Sequence, residues 1–253
     1  MDNMTPTVKQ LLIINVIVFI GCALMGPIDP PLNNPAYKLL SLYYFENPDF
    51  RIWQPLTHMF MHGGVMHIAF NMFALVSFGS ILERFWGSKK FLFFYISCGL
   101  GAFLLHTAAN YYFFHEGLEA LVSNGFSKTE IMDLLDKGQY NTNWLTVLSS
   151  NELQNFMGYS GTAVGASGAI YGLLAAFAFM FPNAELAMLF IPIPIKAKYF
   201  VPILVAFDLF SGTTGYDVMG GGIAHLAHVG GAVTGVVMMW VWRKNQFHHK
   251  RWN

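Results

Sequence analysis

Apolar residues in this chain come in long runs, not in the short alternating patches of a water-soluble domain. Leu11–Met25 holds one polar side chain, Asn15, and prolines 27, 30 and 31 follow it. Further runs extend from about Phe60 to Glu83, Phe91 to Tyr112, Ser167 to Phe181, Phe200 to Leu209 and Ile223 to Trp242. The pattern predicts an all-α polytopic membrane protein of six transmembrane helices, one integral-membrane domain over residues 1–253. The fourth run has only 15 residues, about 22 Å of helix against roughly 30 Å of hydrocarbon. It is therefore expected to start within the membrane. Non-helical backbone survives there only beside a wet or protein-lined cavity.

Residues 115–160 break the apolar pattern with eight charged positions. Leu118, Leu121, Val122 and Phe126 keep a helical period, as do Ile131, Leu134 and Leu135 after a Ser127–Glu130 capping pattern. Two short amphipathic helices in an outer loop are expected. Residues 183–200 read as a loop, and the glycine-rich stretch Ser211–Gly222 as a mobile connection.

Composition narrows the class. The chain is 55% hydrophobic and 11% charged, with mean hydropathy +0.45; a soluble domain carries roughly 25% charge. The partner this implies is a lipid bilayer. Zero formal net charge gives no reason to expect a nucleic acid. Cys22 and Cys98 both lie in apolar runs, so neither a disulfide framework nor a zinc-type cysteine spacing follows. With six spans and both termini cytoplasmic, ten of the 14 basic residues fall in cytoplasmic pieces, as positive-inside bias requires. That topology places the N-terminal end of the Ser167 helix towards the outer face.

Polar side chains inside lipid are the candidates for chemistry. His67 and Asn71 are four apart, on one helix face. Ser167 opens the fourth span, and His225 and His228 open the sixth, from the same side. Gly168 and Gly172 make one small-residue ridge, Gly231 and Gly235 another, and such ridges let helices cross closely enough for a serine to reach an imidazole. A helix start also offers free N–H groups and a positive dipole end beside Ser167. Asp208 reads as a helix-end group, and His225 as hydrogen-bonded lining.

These pieces resemble the bacterial rhomboid intramembrane serine proteases. The matching motifs are Phe60-Met61-His62-x4-His67-x3-Asn71, Gly165-x-Ser167-Gly168-x2-Tyr171-Gly172 and Ala227-His228-x2-Gly231-x3-Gly235. The resemblance implies a rhomboid-like bundle that cleaves membrane-protein substrates through a Ser-His dyad, with no cofactor or metal. Ser167 would be the nucleophile and His228 the base. His67 and Asn71 would complete an oxyanion site, with His62, Gly165, Tyr171 and His225 in support. A multi-pass protein of the bacterial plasma membrane, acting on transmembrane substrates, is implied. Residues 115–160 are longer than the family's usual connection, and Arg51-x-Trp53 stands where a Trp-Arg pair is typical. A non-cleaving rhomboid-like binding protein is the alternative. A metalloprotein built on His58, His62, His225 and His228 is a more distant one.

Overall fold

The computed structural model describes residues 4–28, 34–188, 191–216 and 224–246. It is a bundle of helices, several of them long and apolar enough to cross a membrane. The first helix, α1 (Pro6–Met25), has proline in its first turn, where the missing N–H costs nothing. Its other free N–H groups are capped from a distance. The buried Glu83 carboxylate accepts from the backbone N–H of Thr7 at 2.9 Å and of Val8 at 3.0 Å, and from the Thr5 and Ser88 hydroxyls. An anion at a helix N-terminus is favoured by the dipole as well as by these bonds. Asn15, the one polar residue in the run, turns back to donate to the Leu11 carbonyl at 2.7 Å.

A short helix α2 (Pro35–Leu40), capped by the Asn34 side chain, a two-residue strand β1 (Leu42–Tyr43) and a single turn α3 (Gln54–Thr57) make up the described part of the first connection. Helix α4 (Val65–Ala74) runs through a π-helical turn at Leu75–Gly79 into α5 (Ser80–Trp86), giving one continuous 22-residue span. The span starts five residues later than expected, because His58–Phe60 form a 3-10 turn and Gly63–Gly64 precede the helix. Gly87, at φ +78°, makes the sharp turn into the next helix, a conformation that suits glycine.

That helix, α6 (Ser88–Ser123), has 36 residues, about 54 Å of length. The expected boundary at Tyr112 is only where the composition turns polar; no breaker interrupts the helix there. The first of the two expected amphipathic helices is thus the end of α6. Its apolar face packs with α7 (Lys128–Leu135) and α8 (Ser150–Phe156), where Phe114, Leu118 and Leu121 meet Ile131, Leu135, Trp144, Phe156 and Tyr159. Ser127 caps α7 without a side-chain bond; the capping box that does close is Ser149–Glu152, at the start of α8.

Strand β2 (Thr162–Ala163) pairs antiparallel with β1, Leu42 opposite Ala163, and so ties the first connection to the residues just before Ser167. Helix α9 (Ser167–Met180) follows, 14 residues long and buried along most of its length. Residues 183–200, expected as a loop, contain an antiparallel hairpin of β3 (Glu185–Met188) and β4 (Ile191–Lys196). Helix α10 (Ala197–Thr214) is longer at both ends than the expected fifth span, so Ser211–Thr214 are helical; residues 217–222 of the expected mobile connection lie outside the described residues. Helix α11 (His225–Gln246) completes the bundle.

Candidate active site

Ser167 is the first residue of α9, half-buried, at a position that leaves the adjacent backbone N–H groups without intrahelical acceptors. Gly165, two residues earlier, has φ +129°. A Cβ there would lie 2.8 Å from His67 Nε2 and 3.4 Å from Ser167 Oγ. Only glycine satisfies both the backbone angle and the space. Its N–H donates to the His58 carbonyl at 2.9 Å, fixing the approach to the helix.

The small-residue ridges meet. A Cβ on Gly231 would sit 1.8 Å from the Gly168 carbonyl oxygen, and one on Gly235 2.7 Å from that of Gly172. The helix α6 joins the same contact, since a Cβ on Gly230 would come within 2.6 Å of the Gly101 carbonyl oxygen. With no side chains between α9 and α11, the Ser167 hydroxyl lies 2.9 Å from His228 Nε2. The His228 ring stacks on Tyr171, with centroids 4.2 Å apart and planes 11° from parallel.

His67 stands beside Gly165. Its Nδ1 accepts from the Gly63 N–H at 3.2 Å. The neutral ring then carries its proton on Nε2, the nitrogen that faces Gly165. Asn71 is buried, but its amide donates to the His67 carbonyl one turn back at 3.0 Å, so part of its donor capacity is spent within α4. His62 is buried edge-on to His67, with ring centroids 5.1 Å apart, and its carbonyl accepts from the Tyr37 hydroxyl.

The residue that the sequence reading placed elsewhere is Asp208. It is buried on α10, and its Oδ1 faces His228 Nδ1 at 3.1 Å and His225 Nδ1 at 2.5 Å. Its Oδ2 is buried with no hydrogen-bond partner among the described residues. An acid inside an otherwise apolar stretch was the available signal. Asp208, His225 and His228 bring their ligand atoms within 4.8 Å of one another and are the group, among the described residues, that could hold a metal ion. His58 and His62 do not join it; His58 Nδ1 donates to the Gln54 carbonyl at 2.8 Å. The shared oxygen already satisfies both imidazole N–H groups of the cluster.

Two cavities flank the site. One of about 20 Å³ lies behind Ser167, bounded by His58, Gly99, Ala102 and Gly165, enough for about one water. The other, about 250 Å³, is mainly apolar, with His106, Asn110, Gln154, Asn155, Ser211 and His225 as polar groups in its lining.

Comparison with known proteins agrees with this architecture. The rhomboid domain family matches residues 49–245. A rhomboid protein of Schizosaccharomyces pombe mitochondria is 31% identical over 199 residues, covering 74% of this chain and 49% of its own. The human mitochondrial presenilin-associated rhomboid-like protein is 25% identical over 233 residues, covering 91% and 46%. The rhomboid protease GluP of Bacillus subtilis is 44% identical over a shorter stretch of 48 residues, 19% of this chain and 10% of its own. The chain spans about half the length, or less, of the curated relatives it matches. Those relatives are mostly eukaryotic mitochondrial proteins, so the similarity does not single out the bacterial branch expected from the motifs. The match over most of its length, together with the membrane-spanning helical bundle, establishes that this chain belongs to the rhomboid family.

Proposed function

We propose that this protein is an intramembrane serine endopeptidase that cuts membrane-protein substrates with Ser167 as nucleophile and His228 as base. The observation that carries the reading is the 2.9 Å separation of Ser167 Oγ and His228 Nε2 at the start of a helix. A serine hydroxyl is a poor nucleophile until a positioned base takes its proton. Attack of Oγ on a peptide carbonyl passes that proton to Nε2 and puts negative charge on the carbonyl oxygen. The free N–H groups at the start of α9 and the Nε2–H of His67 would receive that charge, with Asn71 in support. His228 then returns the proton to the leaving amine. A water, deprotonated in the same way, releases the acyl group. The cavity beside His225, lined in part by polar groups, and the small one behind Ser167 support access of water to the bond.

The proposed topology is six spans in one domain, with both termini on the cytoplasmic face of a bacterial plasma membrane or its equivalent. Residues 115–160 and the start of α9 lie towards the other face. At 14 residues, α9 is about 21 Å long, which supports a start below the membrane surface. Substrates would be transmembrane proteins whose helix unwinds locally at the site.

A serine-reactive fluorophosphonate applied to the detergent-solubilised protein tests this. Mass spectrometry of the labelled peptide should place the adduct on Ser167, and Ser167→Ala and His228→Ala should abolish labelling. A label on another serine, or full labelling in His228→Ala, would leave a non-cleaving rhomboid-like binding protein as the better reading.

A further inference from the structure

The Ser167–His228 pair, as read above, gives no task to the buried carboxylate beside it. We infer that Asp208 is the positioning residue of this pair and that His225 is the clamp that holds Asp208 in place. This role rests on the hydrolytic reading of Ser167 and His228.

An ionised carboxylate only accepts hydrogen bonds. Facing Asp208 Oδ1 at 3.1 Å, Nδ1 of His228 must therefore carry the ring proton. That leaves a lone pair on Nε2, the nitrogen 2.9 Å from Ser167 Oγ. The other tautomer would aim an N–H at the hydroxyl and could not take its proton. When His228 does take that proton, the imidazolium forms against a fixed negative charge, which stabilises it.

A carboxylate buried on an apolar helix is costly unless its oxygens are satisfied. Here α11 serves one of them, Oδ1, with two imidazoles, while Oδ2 is buried without a hydrogen-bond partner among the described residues. His225 and His228 are three apart on α11 and turn both Nδ1 atoms to one oxygen, His225 the more closely at 2.5 Å. From α9, Tyr171 covers the His228 ring with its face. Asp208, His225 and His228 keep side-chain exposures of 4%, 7% and 13%, so water does not replace these bonds freely. The ring is held on one side by stacking and at Nδ1 by the carboxylate, and Nε2 is left with one direction to face.

A purely structural pin between α10 and α11 would make the same contacts, so the test reads the tautomer and the chemical step. In wild-type protein with nitrogen-15 histidine, NMR should show neutral His228 protonated on Nδ1, the signal being assigned by its loss in His228→Asn. Protonation on Nε2 would overturn the proposal without any Asp208 variant. Fluorophosphonate labelling is then followed against probe concentration. Asp208→Asn should lower the maximal labelling rate about a hundredfold to ten-thousandfold, with the half-saturating probe concentration unchanged within threefold. Asp208→Glu, which keeps the acceptor, should recover part of the rate, and His225→Gln should cost less than Asp208→Asn. Equal rates in Asp208→Asn and wild type overturn the role of Asp208 alone. Failure of the wild type to label at Ser167 would instead overturn the hydrolytic reading, leaving the tautomer to be judged by the NMR result.

Discussion

Gly231 and Gly168 face each other so closely that a Cβ on Gly231 would lie 1.8 Å from the Gly168 carbonyl oxygen. The obstacle is backbone, so no side-chain rotation could relieve it. Gly231→Leu should push α11 away from α9 and separate His228 from Ser167 by an ångström or more. A misplacement of that size costs about a hundredfold in rate, and overpacking about 1–3 kcal/mol in stability. Labelling kinetics and thermal melting in detergent check both; near-normal labelling would show that this crossing does not hold the pair.

His67 and Asn71 share a face of α4 but differ in what they can still donate. His67 Nδ1 is occupied by the Gly63 N–H, which leaves its Nε2–H for a developing oxyanion. The Asn71 amide is already engaged by the His67 carbonyl. His67→Phe should lower kcat by about a hundredfold to a thousandfold, and Asn71→Ala by roughly tenfold to a thousandfold, each with little change in KM. If Asn71→Ala works at the wild-type rate, its place is structural.

Glu83 holds the N-terminus of α1 through two backbone N–H groups and two hydroxyls. Glu83→Gln turns one acceptor into a donor facing those donors. A lost hydrogen bond to a charged group is worth about 1.5–3 kcal/mol, so the melting temperature should fall measurably. An unchanged melting curve would mean that α1 is held mainly by its apolar packing.

Single cysteines at Lys89, in the first turn of α6, and at Ser127, four residues past its end, are both at exposed positions. Native Cys22 and Cys98 are buried, which keeps the background low. An impermeant thiol reagent added to intact cells or vesicles should reach position 127 and position 89 from opposite sides. Labelling of both from one side would rule out the proposed topology.

The glycine spacing and the apolar runs were legible in the chain itself. A lipid-facing surface must be apolar along a whole span, and a close helix crossing needs small residues at every fourth position; both leave local marks. Ser167, His228, His67 and Asn71 could be named from their motifs for the same reason. Helix ends were less legible. Polarity at residues 113–123 marks where the surroundings change, but backbone hydrogen bonding in α6 continues through it, because nothing there breaks a helix. The Ile-Pro-Ile-Pro run hid strand β4, since proline removes a ladder donor and argues against a strand.

What only the tertiary structure decided are the partners that lie far apart in sequence. Glu83 caps a helix through Thr7, 76 positions away, and Asp208 meets a histidine 20 positions on, beyond the end of its own helix. By itself the chain determined which faces shun water and which polar residues are candidates for chemistry, because those properties belong to single side chains and their spacing. Which carboxylate ends up behind which imidazole depends on how α9, α10 and α11 cross, and the crossing is set by backbone contacts at glycines that no linear spacing of charged and polar residues encodes.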